Sequence, residues 1–338
     1  MFIVHCLMRR IPRLLMVFLG VSMITFALSH VIPGDPARMM VGQKASPETL
    51  AKARVELGLD QPVPVQYWRY LTDLLQGDMG RSIRTQQPVA DELKKYFPAT
   101  LELTLVSMLL TLVGGILLGV LAAVRRDGWV DHASRLISLV GVSMPLFWSG
   151  LLVLIVFYQW LQWFPASGRL DTFMTPPPRI TGMYLVDGML AGDGAVMFSA
   201  LEHLVLPASC LAYVQLAVIA RQVRSSMIQV LALDYIRTAR AFGLSETKII
   251  YQYALKNALL PTVTVAGLIF GELLGGAIIT ETIFSWPGMG KYVVDSVGFL
   301  DFPAIMGFTM VVAMGYVLIN LLVDLLYRVL DPQIQEVD

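Results

Sequence analysis

Residues 234–261 read DYIRTARAFGLSETKIIYQYALKNALLP. The stretch carries Arg237, Arg240, Lys248 and Lys256 against Asp234 and Glu246, while the chain on either side of it is apolar. A Gly243-Leu244-Ser245 turn divides it into two short helical runs, and Leu260-Pro261 closes it. A charged helix-turn-helix set between two hydrophobic segments constrains how the whole chain can be built.

Working outward, the composition is that of a membrane protein. Of 338 residues, 56% are hydrophobic and 15% charged, with a mean hydropathy of +0.66, whereas soluble domains carry about 25% charged residues. The formal net charge is zero, which gives no global pull toward nucleic acid. A bilayer-spanning helix needs about 20 predominantly apolar residues, and six segments meet that expectation: 14–31, 103–124, 136–158, 204–220, 259–280 and 302–323. The fourth is the weakest, being short and containing Pro207. The first follows Arg9, Arg10 and Arg13 and has signal-peptide character, but Ala27-Leu28-Ser29 is a poor cleavage site and the segment is long enough to span. It is read as an uncleaved helix.

Lysine and arginine in the connections set the orientation. Residues 1–13 hold three, 125–135 three and 221–257 six, and Arg328 follows the last span. The two shorter connections of the opposite side hold only Arg169, Arg179 and Lys291. Its long connection, 32–98, has nine, but long segments translocate largely regardless of charge. Six spans with both termini cytoplasmic are expected, with the 221–261 connection in the cytoplasm. The expected organisation is an N-terminal span (1–31), an extracytoplasmic segment (32–98), a five-helix core (99–330) with an extracytoplasmic loop at 159–203, and a cytoplasmic tail (331–338). Within 32–98, Ser46 as N-cap, Pro47 at the first position and Gly58 as stop predict a helix. Trp160 and Trp163 suit the membrane interface.

In the fifth segment Gly267, Gly271 and Gly275 fall on one helix face, a spacing that lets backbones approach closely. A dimer seam, a pathway wall and ordinary packing inside the subunit all fit, and Gly115 with Gly119 repeats the ambiguity. Glu272 is an ionisable group inside a span, which is costly and faces a cavity or a partner; translocation-path contact and a structural hydrogen bond are both open. Asp324 is expected to be solvated or paired with Arg328 at i+4. No phosphate-binding loop, HExxH helix or GxSxG elbow occurs. Cys6 and Cys210 make no metal or disulfide signature, and the four histidines are scattered at segment ends, where wet imidazoles are expected. No catalytic residue, metal site or bound cofactor is therefore expected on this chain; uphill transport at the expense of ATP would need another chain to bind it.

Taken alone, RTARAFGLSETKIIYQYAL has the outline of a DNA-binding motif, but the membrane segments that flank it closely on both sides leave no independent recognition domain. Capping chemistry gives a different object. Asp234 opens a helix carrying Tyr235, Ile236, Ala239 and Phe242, and Gly243 supplies the left-handed residue that ends it. Ser245 is expected to N-cap the next helix, with Glu246 favouring its positive end, and Ile249, Ile250 and Tyr253 form its buried face. Such an element suits a groove in another protein; a solvated connection or a helix lying on lipid is the alternative.

The stretch resembles the "EAA" cytoplasmic loop of ABC-importer permeases in the form found in the dipeptide/oligopeptide/nickel family, with Gly243 as the loop glycine and Leu260-Pro261 as the closing pair. The Glu-Ala-Ala triplet is replaced by Thr238-Ala239-Arg240. Further matches are Ile32-Pro-Gly-Asp-Pro36, Gly77-Asp-Met-Gly80, Phe97-Pro-Ala-Thr-Leu101-Glu-Leu103, Asp131-His132 and Glu281-Thr-Ile-Phe-Ser-Trp-Pro-Gly-Met-Gly290. The chain is similar to the B-type subunit, and its 168–190 loop resembles the D,D-dipeptide branch.

The resemblance implies an all-α, type I ABC-importer permease in the bacterial cytoplasmic membrane. It implies a second homologous permease subunit, two cytoplasmic ATPase subunits carrying ATP and magnesium, and an extracytoplasmic substrate-binding protein. It makes Arg237, Ala239, Arg240, Ala241, Gly243, Leu244, Ser245, Glu246 and Pro261 the ATPase-coupling loop. Nickel and glutathione importers share these motifs, so the substrate stays open. A stand-alone secondary transporter and a membrane-embedded enzyme are the competing classes, weakened by the missing internal repeat and the missing catalytic motifs.

Overall fold

The structure is a computed structural model that describes residues 2–31, 36–42, 45–56 and 58–330. Among these no strand forms; Arg81 and Pro88 make one isolated antiparallel bridge. The helices, in chain order, are α1 (Phe2–Val31), α2 (Pro36–Val41), α3 (Pro47–Glu56), α4 (Val63–Leu75), α5 (Val89–Val124), α6 (Trp129–Ser143), α7 (Leu146–Val153), α8 (Tyr184–Ala191), α9 (Gly194–Leu231), α10 (Asp234–Ala241), α11 (Glu246–Lys248), α12 (Leu255–Ala258), α13 (Leu260–Ile283), α14 (Met289–Gly298) and α15 (Phe302–Leu330). Two π-helical stretches, Leu154–Trp160 and Ile249–Ala254, extend α7 and join α11 to α12.

Four helices, within α1, α5, α9 and α15, are long and apolar enough to cross a membrane. Two bent pairs bring the number to six. The expected third span is not one straight helix: α6 and α7 meet at 108°. Met144 there is extended (ψ 128°), ahead of Pro145. A residue before proline is pushed out of the helical region, and proline has no N–H to continue the ladder. The fourth segment, read as short and weak, lies inside the longest helix. α9 has 38 residues and runs through Pro207 without ending. Its length, about 57 Å at 1.5 Å per residue, exceeds a hydrocarbon core of about 30 Å. Hydropathy saw only its apolar middle. Asp193 caps its start, its carboxylate accepting from the Ala195 and Val196 amides at 3.1 Å each.

The chain divides into two compact units. The first comprises residues 1–98 and 288–317. In it Ser46 caps α3 as expected, its hydroxyl accepting from the Thr49 amide at 3.2 Å. The buried Asp301 accepts from the Ser82 hydroxyl and from the Arg84 amide at 3.2 Å. Tyr96 stacks on Tyr292 with ring centres 5.3 Å apart. The Ile32 to Asp35 part of the Ile32-Pro-Gly-Asp-Pro36 motif lies outside the described residues, as does the 331–338 tail.

The second unit comprises residues 99–287 and 318–338. α9 is its centre, packing on α6, α7, α8 and α13. Leu103, Leu204, Ile219, Leu273 and Trp286 are buried there in one apolar cluster. The glycine ambiguity in α5 is settled by close approach. A Cβ at Gly115 would stand 2.6 Å from Ile219 Cγ2, and one at Gly119 would stand 2.7 Å from the Ala220 carbonyl oxygen. These glycines seat α9 on α5 within the subunit. Cys210 is buried and free, and His203, expected to be wet, is buried with Nδ1 2.8 Å from the Ser199 carbonyl. The side chains of Cys6, His5, Asp324 and Arg328 lie outside the described set.

Candidate functional site

The 234–261 stretch folds as the expected helix-glycine-helix, with the left-handed residue at Gly243. α10 ends at the Phe242-Gly243 turn, where the Gly243 amide donates to the Arg240 carbonyl at 2.9 Å and the Leu244 amide to the Ala239 carbonyl at 3.3 Å. Gly243 has φ +77°, a left-handed conformation that costs a side-chain-bearing residue about 1–2 kcal/mol. Across the turn, Arg240 grips Glu246 in a two-pronged ion pair, Nε to Oε1 at 2.7 Å and Nη2 to Oε2 at 3.2 Å. The Tyr235 hydroxyl donates to the Tyr253 carbonyl at 3.2 Å and accepts from Asn257 Nδ2 at 2.8 Å. Ile236, Ala239 and Ile249 are buried beneath the turn, with Leu244 packed against them.

Three details depart from expectation. Ser245 stands at the N-cap position, and its carbonyl accepts from the Ile249 amide at 3.0 Å, but its hydroxyl makes no capping hydrogen bond. Glu246 turns back to Arg240 rather than serving only the helix end, so the ion pair closes the turn that the hydroxyl was expected to close. The second helix is not uniformly amphipathic: Ile249 is buried, Ile250 half-buried and Tyr253 exposed. Its π-helical turn over Ile249–Ala254 shifts the register that an α-helical period assumes. Pro261 lies in the first turn of α13, where no N–H partner is needed, and the chain bends 56° on entering it. Arg237 pairs with Asp234 at 3.2 Å and is solvent-facing, as are Ala241 and Arg240. The tip residue that sequence reading did not single out is Phe242, 82% exposed on an otherwise tied-down turn.

In α13, Gly267 is buried against Val323 of α15, so its Cβ-free face serves packing within the second unit. Gly271 is buried and Gly275 half-buried. Glu272 lies on an exposed stripe with Thr264, Leu268, Ile279 and Thr282 that adjoins the glycine face. This carboxylate is exposed on the surface of the chain.

A second polar assembly escaped sequence reading. Glu102, in the Phe97–Leu103 motif, is buried in an ion pair with Arg169 and accepts from the Leu185 amide at 2.7 Å. The Arg169 guanidinium lies 3.6 Å from the centre of the Tyr184 ring and donates to the Gly182 carbonyl at 3.0 Å. Glu281 accepts from the Thr100 hydroxyl at 2.6 Å, and Trp286 Nε1 donates to the Ala99 carbonyl at 2.8 Å. The motifs around Glu102 and Glu281 thus meet in space, and the 168–190 loop is fastened to them. Inside that loop Asp187 is cradled by the Ile180, Thr181 and Gly182 amides and the Thr181 hydroxyl, at 2.7–3.3 Å. Burial opposes its ionisation, but the four donors win and hold its carboxyl below the usual carboxylate range. In sequence Glu102 and Glu281 stood only as members of two separate motifs, with nothing to pair them with Arg169 or Thr100.

Among the described residues, no three His, Cys, Asp or Glu side chains converge as a metal site. The family profile described as "Binding-protein-dependent transport system inner membrane component" matches residues 115–336, and "Binding-prot-dependent transport system membrane comp, N-term" matches residues 3–104. The chain is 54% identical over 321 residues to the probable D,D-dipeptide transport system permease protein DdpB of Escherichia coli K12, covering 95% of this chain and 94% of that protein. It is 45% identical over 328 residues to the dipeptide transport system permease protein DppB of Alkalihalophilus pseudofirmus, covering 97% and 98%. Identity to the glutathione transport system permease protein GsiC of Salmonella paratyphi A is 38% over 328 residues, again covering 97% and 98%. Two profiles and full-length relatives agree with the helices described above: this multi-pass inner-membrane chain belongs to the permease components of binding-protein-dependent ABC import systems, in the dipeptide permease B group.

Proposed function

We propose that this chain is one half of the membrane pathway of an ATP-driven importer of short peptides, and that the 234–261 loop is where it receives the stroke of an ATPase. It pairs with a second, homologous permease subunit. Two cytoplasmic ATPase subunits hold the ATP and magnesium, and an extracytoplasmic binding protein delivers the peptide. Both termini and the 234–261 loop face the cytoplasm, in keeping with the distribution of lysine and arginine. The chain performs no covalent chemistry of its own.

The observation that carries this reading is the form of the loop. Phe242 is an exposed aromatic at the apex of a turn fixed by Gly243, by the Arg240–Glu246 pair and by buried Ile236 and Ile249. A rigid apolar knob with a polar rim suits the groove of a partner. Glu272, with Thr264 and Thr282 on the same exposed stripe of α13, supplies a polar wall for the pathway, because a carboxylate facing lipid is costly. Within the family, the full-length likeness to a D,D-dipeptide permease favours D,D-dipeptides as the substrate.

The test uses the assembled complex in proteoliposomes, with the loaded binding protein on one side and ATP on the other. Phe242→Asp, Gly243→Pro and Glu246→Arg are each expected to abolish uptake and substrate-stimulated ATP hydrolysis while the chain still inserts. Normal uptake in all three would refute the coupling role. Binding of D,D-dipeptides, ordinary dipeptides and glutathione to the binding protein decides the substrate separately.

A further inference from the structure

The 234–261 loop is joined to the rest of the second unit through the end of α9, and that end is fastened by one carboxylate. Asp131, in the first turn of α6, is fully buried. It accepts from Arg224 of α9 through Nε at 2.6 Å and Nη2 at 2.7 Å, and from Nε and Nη2 of Arg135 one turn along α6. It also accepts from the Asp127 amide in the connection that follows α5, at 3.0 Å. Beside Arg224, Ala220 and Val223 press on Gly119 of α5. Three long elements are therefore locked together at a single level of α9.

That level has mechanical meaning. Arg221 and Arg224 end the apolar stretch of α9, so the clamp sits where the span gives way to polar surroundings. From Arg224 the helix continues to Leu231, about 10 Å farther at 1.5 Å per residue, and α10 begins at Asp234. A buried, fully hydrogen-bonded ion cluster adds little net stability compared with apolar packing, but it fixes geometry and is disruptive when half removed. A forked guanidinium on a carboxylate also fixes direction in a way a single ammonium cannot. We infer that Asp131 is a positioning residue for transport: its clamp on Arg224 is the fulcrum about which displacement of the 234–261 loop turns α6 and α9 as one body. Without it, motion delivered to the loop is absorbed by bending at the end of α9.

This inference rests on the coupling role proposed above, and the experiment keeps the two apart. Wild-type complex, Arg224→Lys and Arg135→Gln are reconstituted, and three quantities are read: basal ATP hydrolysis, its stimulation by loaded binding protein, and peptide imported per ATP hydrolysed. Arg224→Lys keeps a positive charge but loses the fork. It is expected to keep basal hydrolysis and to lower peptide imported per ATP about tenfold, within the range by which single positions alter a coupling. Arg135→Gln, on the solvent side of the cluster, is expected to give a smaller fall in the same ratio. If Arg224→Lys fails to assemble, Arg135→Gln decides the matter. An unchanged ratio in the assembled variants, with only the amount of complex reduced, would make the clamp a structural staple and overturn the inference. Import without ATP by the wild-type complex would instead overturn the coupling role itself.

Discussion

Glu246 shows how far single residues could be read in advance. Its place beside Ser245 suggested a helix-end role, but its partner Arg240 lies across a turn whose geometry no linear spacing reveals. A direct consequence is charge-swap rescue. Glu246→Arg sets two cations across the Gly243 turn and is expected to stop uptake; Arg240→Glu combined with Glu246→Arg is expected to restore it substantially in the same assay. Glu102 and Arg169 are the buried counterpart. Arg169→Ala leaves the Glu102 carboxylate without its partner, a loss of about 3–5 kcal/mol for a buried pair, and should lower the thermal midpoint of the purified chain in detergent. Asp187 gives a pH signature. Its carboxyl is held below the ordinary range, so its contribution is complete above its unfolded value of about 4. It is lost as pH falls through the depressed folded value. Hydrogen-exchange protection of the Thr181 and Gly182 amides should therefore persist at neutral pH and disappear only in strong acid. Loss of protection near pH 6 would show that something other than this carboxylate orders the loop.

At the level of elements, apolar runs located the spans, while their true lengths and breaks came from features hydropathy does not weigh. The segment containing Pro207 read as the weakest span, yet α9 is the longest helix because packing on α6, α7, α8 and α13 outweighs the hydrogen bond proline cannot make. Conversely, 136–158 read as one span, and Met144-Pro145 breaks it. The glycine patterns were visible, but their partners were not: Gly115 and Gly119 meet α9, and Gly267 meets α15. Gly119→Leu is accordingly expected to separate α5 from α9. Overpacking of this kind costs about 1–3 kcal/mol or more, and the variant should melt earlier and reach the membrane in reduced amount. A leucine variant with wild-type melting would mean that α5 and α9 do not approach as described.

For the molecule as a whole, composition announced a membrane protein and the absence of catalytic motifs pointed away from chemistry. The motif positions around Phe97, Asp131, Gly243 and Glu281 carried the family assignment. Their physical meaning emerged only in three dimensions. The Phe97–Leu103 and Glu281–Gly290 motifs join through Thr100–Glu281 and Ala99–Trp286, and Asp131 clamps Arg224. Sequence periodicity is blind to such pairings because their partners lie 93 to 187 positions apart. The central claim is that the 234–261 loop converts ATPase closure into opening of the pathway. The most direct measurement is uptake of a labelled dipeptide into proteoliposomes that contain the complete complex, with and without enclosed ATP, for the wild type and for Phe242→Asp. ATP-dependent uptake that Phe242→Asp abolishes, with the complex still purified intact, is the predicted result; uptake driven by an ion gradient alone, or unchanged by Phe242→Asp, would contradict it.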